Sequence, residues 1–200
     1  MEVLVTNKLN LFSTNKFEFK EGLNIIVGEN GSGKSTLCKE ITEFLNKNNI
    51  KFIKYDAYSE SGCYSASNAL LTGNYKESNI LWNKSEGETG IFNLGNFVSK
   101  INKTIKAIDN YEKLFIILDA IDSGLSINRI VEIRELFDII INDINEMNLS
   151  KNIHKEIYIV ASSNTFELVQ NARCIYVKNG KIKKFGTYSS FRNFILKCVE

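Results

Sequence analysis

The sequence predicts a single α/β domain with a mainly parallel sheet flanked by helices. Short apolar runs, typical of buried strands, alternate along the chain with segments whose apolar residues recur every three or four positions, as in helices. Two N-terminal segments alternate polar and apolar residues instead, which indicates an additional antiparallel β element. With 200 residues, 44% of them hydrophobic, the chain can bury one substantial core, so residues 1–200 are expected to form one domain.

The N-terminal quarter contains three predicted strands before its first helix. Residues 2–6 and 16–20 both alternate at period 2, which predicts an antiparallel hairpin. Residues 23–27 form a short apolar run, as a buried central strand would. A glycine-rich loop follows this run, and a helix is expected from about residue 34 to residue 46.

The middle of the chain has a less regular pattern of apolar residues. A strand is predicted over residues 50–55, but five glycines interrupt any period between residues 56 and 95, so loops and short helices are expected there. A helix is predicted over residues 97–108, and the apolar run 113–119 predicts another buried strand with an acidic residue at its carboxyl end.

The last third of the chain alternates helices and strands again. A long helix is predicted from residue 126 to about residue 148, because five apolar residues recur three or four apart and share one face. The remaining predicted elements are a strand at 156–161, a short helix at 166–170, a hairpin of 174–177 with 182–185, and a final helix at 191–199.

The loop after the third strand has a phosphate-binding pattern. Residues 28–35 match GxxxxGK[ST], the Walker A pattern, in full, and they lie between an apolar strand and a helix as the mechanism requires. Gly31 and Gly33 let the backbone curl so that its N–H groups point at phosphate oxygens, to which the helix N-terminus adds. Lys34 is expected to neutralise the β- and γ-phosphates of ATP, and the Ser35 hydroxyl to ligate Mg²⁺. The expected nucleotide contacts in this loop are Gly28, Glu29, Asn30, Gly31, Ser32, Gly33, Lys34, Ser35 and Thr36.

Asp119 is the second landmark. It ends the apolar strand 113–119, where a Walker B acid would lie beside the metal of a phosphate loop. Together the two patterns predict a P-loop NTPase in which Lys34, Asp119 and Ser35 handle ATP and Mg²⁺. The alternative for the loop, a glycine-rich turn that binds nothing, is disfavoured by the order of strand, loop, Lys-Ser-Thr and helix.

These segments resemble one branch of P-loop proteins. Residues 28–36 resemble the phosphate loop of ATP-binding-cassette (ABC) ATPases, especially the soluble branch of DNA repair and chromosome maintenance. Residues 118–126 resemble that family's metal-acid segment and D-loop, and residues 85–88, Ser-Glu-Gly-Glu, resemble a reduced signature motif. In length and content the chain is also similar to short stand-alone ATP-binding proteins often encoded by phages.

The resemblance implies a head-to-tail homodimer with ATP between the subunits. Ser85 and the Gly87 backbone of one subunit would then donate to the γ-phosphate bound by the other, so that nucleotide binding promotes association. The alternative is that residues 85–90 form a polar glycine loop with no such role. Adenine stacking by an aromatic residue of the N-terminal strands is also implied, with Phe12 and Phe17 as the candidates.

The sequence departs from the family at the general base. The family places a glutamate directly after the metal acid, whereas this chain has Ala120, which can neither accept a proton nor orient water. Asp122 is the first candidate for a substitute base and Glu88 the second. The histidine that senses the γ-phosphate is also missing, and Ser163 or Asn164 stands near its place.

The expected metal-side glutamine cannot be placed either. No glutamine follows the strand at 50–55 closely, which leaves Asp56 as a further metal-side candidate.

Composition adds little about partners. The net charge of +2 gives no field that would attract nucleic acid or a membrane, and no apolar stretch reaches 18 residues. The four cysteines lack CxxC spacing, so reduced thiols and a cytoplasmic location are expected.

The leading hypothesis is an ABC-type ATPase that acts as a dimeric switch on an unidentified protein partner, slow in hydrolysis because of Ala120. The alternatives are a non-hydrolysing nucleotide-binding module and a small P-loop kinase, although the four arginines are not clustered in a lid.

Overall fold

The computed structural model describes residues 1–57, 71 and 86–197, and only the backbone for residues 86–93. The elements in chain order are β1 (Glu2–Leu4), β2 (Lys16–Glu18), β3 (Gly22–Val27), α1 (Lys34–Lys47), β4 (Lys51–Asp56), α2 (Glu86–Ala107), β5 (Lys113–Asp119), α3 (Ile127–Lys151), β6 (Glu156–Ser162), α4 (Phe166–Val169), β7 (Arg173–Tyr176), β8 (Ile182–Lys183) and α5 (Tyr188–Lys197).

A six-stranded sheet forms the centre of the molecule, in the order β4-β5-β6-β3-β7-β8. Its first five strands are parallel, and only β8 runs antiparallel, to β7. The prediction of a mainly parallel sheet with a terminal hairpin is therefore confirmed. Because β6 lies between β3 and β5, three neighbouring strands present their carboxyl ends at one edge.

The N-terminal β element is a separate antiparallel pair, β1 with β2, in which Val3 lies opposite Phe17. It packs with α1 on one face of the central sheet, where Val3, Phe17 and Ile41 are buried in a common core. The Glu40 carboxylate of α1 accepts hydrogen bonds from the Thr6 hydroxyl at 3.1 Å and from a backbone N–H of the same loop at 2.7 Å. The predicted N-terminal hairpin is thus confirmed and is fixed to the helix that follows the phosphate loop.

The other face of the sheet is covered by α2, α3, α4 and α5. The predicted apolar stripe of α3 is buried against this face, which confirms the helical period read from the sequence. Its members are Ile130, Ile133, Phe137, Ile140 and Ile144.

Two predicted helix boundaries are wrong. Helix α2 begins at Glu86 rather than at residue 97, so its glycines, including Gly95, lie within a helix and do not interrupt it. The reason is tertiary packing, since Leu94 lies three residues before Phe97 and extends the buried stripe towards the N-terminus. Helix α5 begins at Tyr188, three residues before the predicted start. In the described part of the chain, no helix combines the length and apolarity that a bilayer crossing requires.

Candidate functional site

The phosphate loop leaves the carboxyl end of β3 and enters α1 directly. Gly33, immediately before the helix, has φ of +96°, a conformation that residues with a Cβ rarely adopt. Gly28 is required for a different reason, because a Cβ there would lie 2.6 Å from both Ser32 Oγ and Val177 Cγ1. The glycines of the pattern therefore permit the tight curl that the sequence analysis expected of a phosphate cradle.

An open cavity of about 510 Å³ lies over this loop. Six residues of the predicted loop line it, whereas Gly28, Glu29 and Ser32 do not. Ser32 is buried. The opposite wall comes from the segments that follow β5 and β6. The lining residues are Asn30, Gly31, Gly33, Lys34, Ser35, Thr36, Ala120, Asp122, Ser123, Ser162, Ser163 and Asn164.

Lys34 is held by the loop itself. Its Nζ donates to the carbonyl oxygens of Gly28 and Glu29, each at 3.0 Å. Burial lowers the pKa of Lys34, and the carboxylates of Asp122, Asp119 and Glu29 act in the opposite direction. Among the described residues, the Lys34 ammonium therefore has two neutral acceptors, which phosphate oxygens can replace.

Asp119 is the buried centre of the opposite wall. Its Oδ1 accepts hydrogen bonds from the Ser35 hydroxyl at 3.1 Å and from the Ser162 hydroxyl at 2.7 Å. Ser162 Oγ in turn accepts from the backbone N–H of Ala120 at 2.8 Å. The two predicted metal-side residues, Ser35 and Asp119, thus lie together although they are 84 positions apart in the chain. Ser162 was not among the predicted site residues, and its position at the carboxyl end of a buried strand was the one signal for it in the sequence.

This pair of oxygens fits Mg²⁺. A serine hydroxyl and a carboxylate are hard oxygen donors, and Mg²⁺ is usually held by one or two such groups together with the phosphates of the nucleotide. Among the described residues, no three or more His, Cys, Asp or Glu side chains are grouped to hold a metal ion by themselves. Ser35 and Asp119 would therefore hold the ion jointly with the nucleotide.

The segment after Asp119 turns sharply at the edge of the cavity. Ala120 has φ of +52°, and its carbonyl accepts from the Ser123 N–H at 2.9 Å. Asp122 Oδ2 accepts from the Ser163 hydroxyl at 2.8 Å and from the Asn164 N–H at 2.9 Å. This carboxylate, predicted as a substitute base, therefore lines the cavity and is fixed to the segment after β6.

That segment also contacts the phosphate loop. The side-chain amide of Asn164 donates to Asn30 Oδ1 at 2.5 Å, which bridges the two walls of the cavity. Ser163 and Asn164 were predicted as phosphate-side residues, but their hydrogen bonds to Asp122 and to Asn30 depend on the fold and could not be predicted from the sequence.

Other predicted residues are placed differently. Ser85 lies outside the described residues, and Gly87 lies in the first turn of α2. Asp56 lies opposite Asp119 in the sheet, with its carboxylate 3.3 Å from Lys54 Nζ, and it does not line the cavity. The expectation that Phe12 or Phe17 stacks on adenine is wrong, because the two residues are only 6% and 0% exposed and their rings pack edge-to-face on each other.

Comparison with known proteins agrees with this geometry. A family model described as an AAA domain matches residues 17–150, which include the phosphate loop, Asp119 and Asp122. A comparison with curated proteins gave no match. The match covers more than half of the chain and coincides with an α/β fold whose phosphate loop faces a strand-end aspartate. The chain therefore belongs to the AAA domain family and is a nucleotide-binding P-loop ATPase domain.

Proposed function

We propose that this domain is an ABC-type, nucleotide-dependent switch that binds ATP with Mg²⁺, pairs with a second copy of itself and hydrolyses ATP slowly. One observation supports slow hydrolysis above all others. The residue after Asp119 is Ala120. This position therefore lacks the carboxylate with which ABC ATPases, the family that the sequence resembles, activate water.

The residues of the loop have separate roles in this proposal. Lys34 exchanges the carbonyls of Gly28 and Glu29, now 3.0 Å away, for the β- and γ-phosphate oxygens. Ser35 and Asp119 hold Mg²⁺, which when bound neutralises charge on the phosphates. The N–H groups at the start of α1 add a partial positive charge at the same place.

Asp122 is the proposed substitute base. Both of its hydrogen bonds to the described residues go to Oδ2, from Ser163 and Asn164, which leaves Oδ1 to accept from a water in the cavity. Asp122 is also the carboxylate that raises the pKa of Lys34 most, so its charge lies close to the phosphate-binding ammonium.

The dimer is the part of the proposal that depends on the family resemblance. Gly87 lies at the N-terminal end of the described helix α2, Glu86–Ala107. In this proposal its backbone N–H donates to a phosphate oxygen, as N–H groups at helix N-termini do. In a head-to-tail pair, the Ser85 and Gly87 segment of one copy would meet the ATP of the other, and nucleotide would strengthen association by linkage.

ATP turnover measured against protein concentration tests the proposal. The wild type is expected to turn over on the order of 10⁻³ per second, the range of P-loop proteins that lack part of the catalytic set. The rate per molecule should rise with protein concentration, vanish in Lys34→Ala and fall in Asp122→Asn.

Matched variants separate these effects from general damage. Lys39→Ala removes an exposed lysine from the same helix, and Asp138→Asn removes a carboxylate paired with Arg134 on the exposed side of α3, so both should keep wild-type turnover. A rate that is independent of concentration would refute the dimeric switch. An unchanged rate in Asp122→Asn would refute its role as the base.

Ala120 also supports a second function, a nucleotide-gated binding module without hydrolysis. Binding of ATP with no phosphate release at any protein concentration would establish this second function.

The lining of the cavity argues against the kinase hypothesis, since no arginine is among the described residues that line it.

A further inference from the structure

Glu29 introduces a negative charge into a loop that binds anions. It follows Gly28 directly, and its backbone carbonyl accepts from Lys34 Nζ. Its carboxylate is one of the three that raise the pKa of Lys34, so its field reaches the ammonium on which the phosphates depend. Left uncompensated, this charge would repel the phosphates and weaken nucleotide binding.

Lys178 supplies the compensating charge from a distant part of the chain. Its Nζ lies 2.6 Å from Glu29 Oε1, and it belongs to the turn between β7 and β8. The turn is fixed on two sides. The Ser13 N–H and hydroxyl donate to the Lys178 carbonyl at 2.6 and 3.1 Å, and the Val177 N–H donates to the Val27 carbonyl at 3.0 Å.

The ion pair is shielded from solvent mainly on its Glu29 side, since the Lys178 side chain is 43% exposed. The Glu29 side chain is 20% exposed, and its Oε2 is buried with no hydrogen-bond partner among the described residues. A carboxylate with so little water depends on its ion-pair partner, because partial burial reduces solvent screening. The Glu29 carboxylate therefore points towards the β7–β8 turn because Lys178 holds it there.

We propose that Lys178 is a positioning residue for nucleotide binding, which neutralises Glu29 and holds its carboxylate towards the β7–β8 turn. The inference rests on nucleotide binding at the phosphate loop. It assigns to the C-terminal hairpin, outside the matched family region of residues 17–150, a share in setting the affinity for ATP.

Equilibrium binding of ATP and ADP tests this inference. Coulomb's law at an intermediate effective dielectric leads us to expect that Lys178→Met weakens ATP binding about five- to tenfold, and ADP binding less, because ADP has fewer charges. The decisive variant is the double change Glu29→Gln with Lys178→Met. It removes the repelling charge together with its partner and should bind ATP within about twofold of the wild type.

Three further variants make the result specific. Lys181→Met removes the same charge from an exposed position of the same turn and should bind ATP like the wild type. Lys178→Arg keeps the charge and should retain most of the affinity, whereas Glu29→Gln alone should bind ATP at least as tightly as the wild type. Thermal melting of every variant shows whether the hairpin stays folded.

Several results would overturn the inference. Unchanged ATP binding in Lys178→Met would do so, and so would a double variant as weak as Lys178→Met, since Lys178 would then touch the phosphates or only hold the turn. Failure of the wild type to bind nucleotide would instead refute the proposed function, so the two failures are distinguishable.

Discussion

Ala120 is unusual in two ways, because it stands where the resembled family has a glutamate and because its backbone has a positive φ. Its φ of +52° lies in the left-handed region, which costs a residue with a Cβ about 1–2 kcal/mol. The N–H of Ala120 donates to Ser162 and its carbonyl accepts from Ser123, so both backbone groups fix this conformation. The strain is therefore maintained by the hydrogen bonds that build the site around Asp119.

Ala120→Gly is expected to stabilise the protein. Glycine adopts positive φ without the steric cost, although its greater freedom in the unfolded chain offsets part of the gain, so the free energy of unfolding should rise by about 0.5–1 kcal/mol. Denaturant unfolding measures this change. Ala107→Gly, at the exposed last residue of α2 and without positive φ, serves as the control and should not raise stability. A loss of stability in Ala120→Gly would show that Ala120 is not strained.

The individual site residues differ in how far the sequence could predict them. Lys34 and Ser35 follow from the spacing of the phosphate-loop pattern, and Asp119 follows from its position at the end of an apolar strand. Ser162 and Lys178 carry no such pattern. They reach the site only because β6 lies beside β5 and the β7–β8 turn lies beside the phosphate loop, and strand order is a non-local property.

At the scale of elements, α2 shows how packing overrides local preference. It contains Gly87, Gly90 and Gly95, and glycine in a helix interior costs about 1 kcal/mol relative to alanine. The helix nevertheless runs for 22 residues, since Leu94, Phe97 and further apolar residues are buried against the sheet. Glycine content alone predicted loops because it carries no information about this burial.

Gly95→Ala is expected to raise the free energy of unfolding by about 0.5–1 kcal/mol. A Cβ at this position would meet nothing within 4 Å, and the residue is exposed in the helix. Gly22→Ala is the contrasting variant, since Gly22 has φ of +84° and an added Cβ is strained there, so stability should fall. Chemical denaturation of both variants checks the pair. A loss of stability in Gly95→Ala would contradict the helical assignment of this position.

At the scale of the whole molecule, two cores lie on opposite faces of one sheet. Ile41 of α1 belongs to one and Ile140 of α3 to the other, and alternate residues of β5, such as Phe115 and Ile116, point into different cores. Each core therefore depends on the same strands. This shared sheet is the physical reason to expect one cooperative folding unit.

Ile41→Val and Ile140→Val test that expectation. Each should lower the free energy of unfolding by about 0.5–1.5 kcal/mol, and the two losses should add because the sites share no partners across the sheet. Circular dichroism in the far and the near ultraviolet should report one coincident transition for the single and double variants. Separate transitions for the two probes would show that the faces unfold independently.

The strand order has a consequence for protein synthesis. The phosphate loop and Asp119 are both translated before β6, the strand that lies between β3 and β5 and supplies Ser162 to Asp119. A nascent chain that has emerged as far as residue 150 would carry both motifs but lack the strand that sets their spacing. ATP can then stabilise the fold only after β6 has left the ribosome, so nucleotide capture follows the synthesis of β6 and cannot guide the folding of the segments before it.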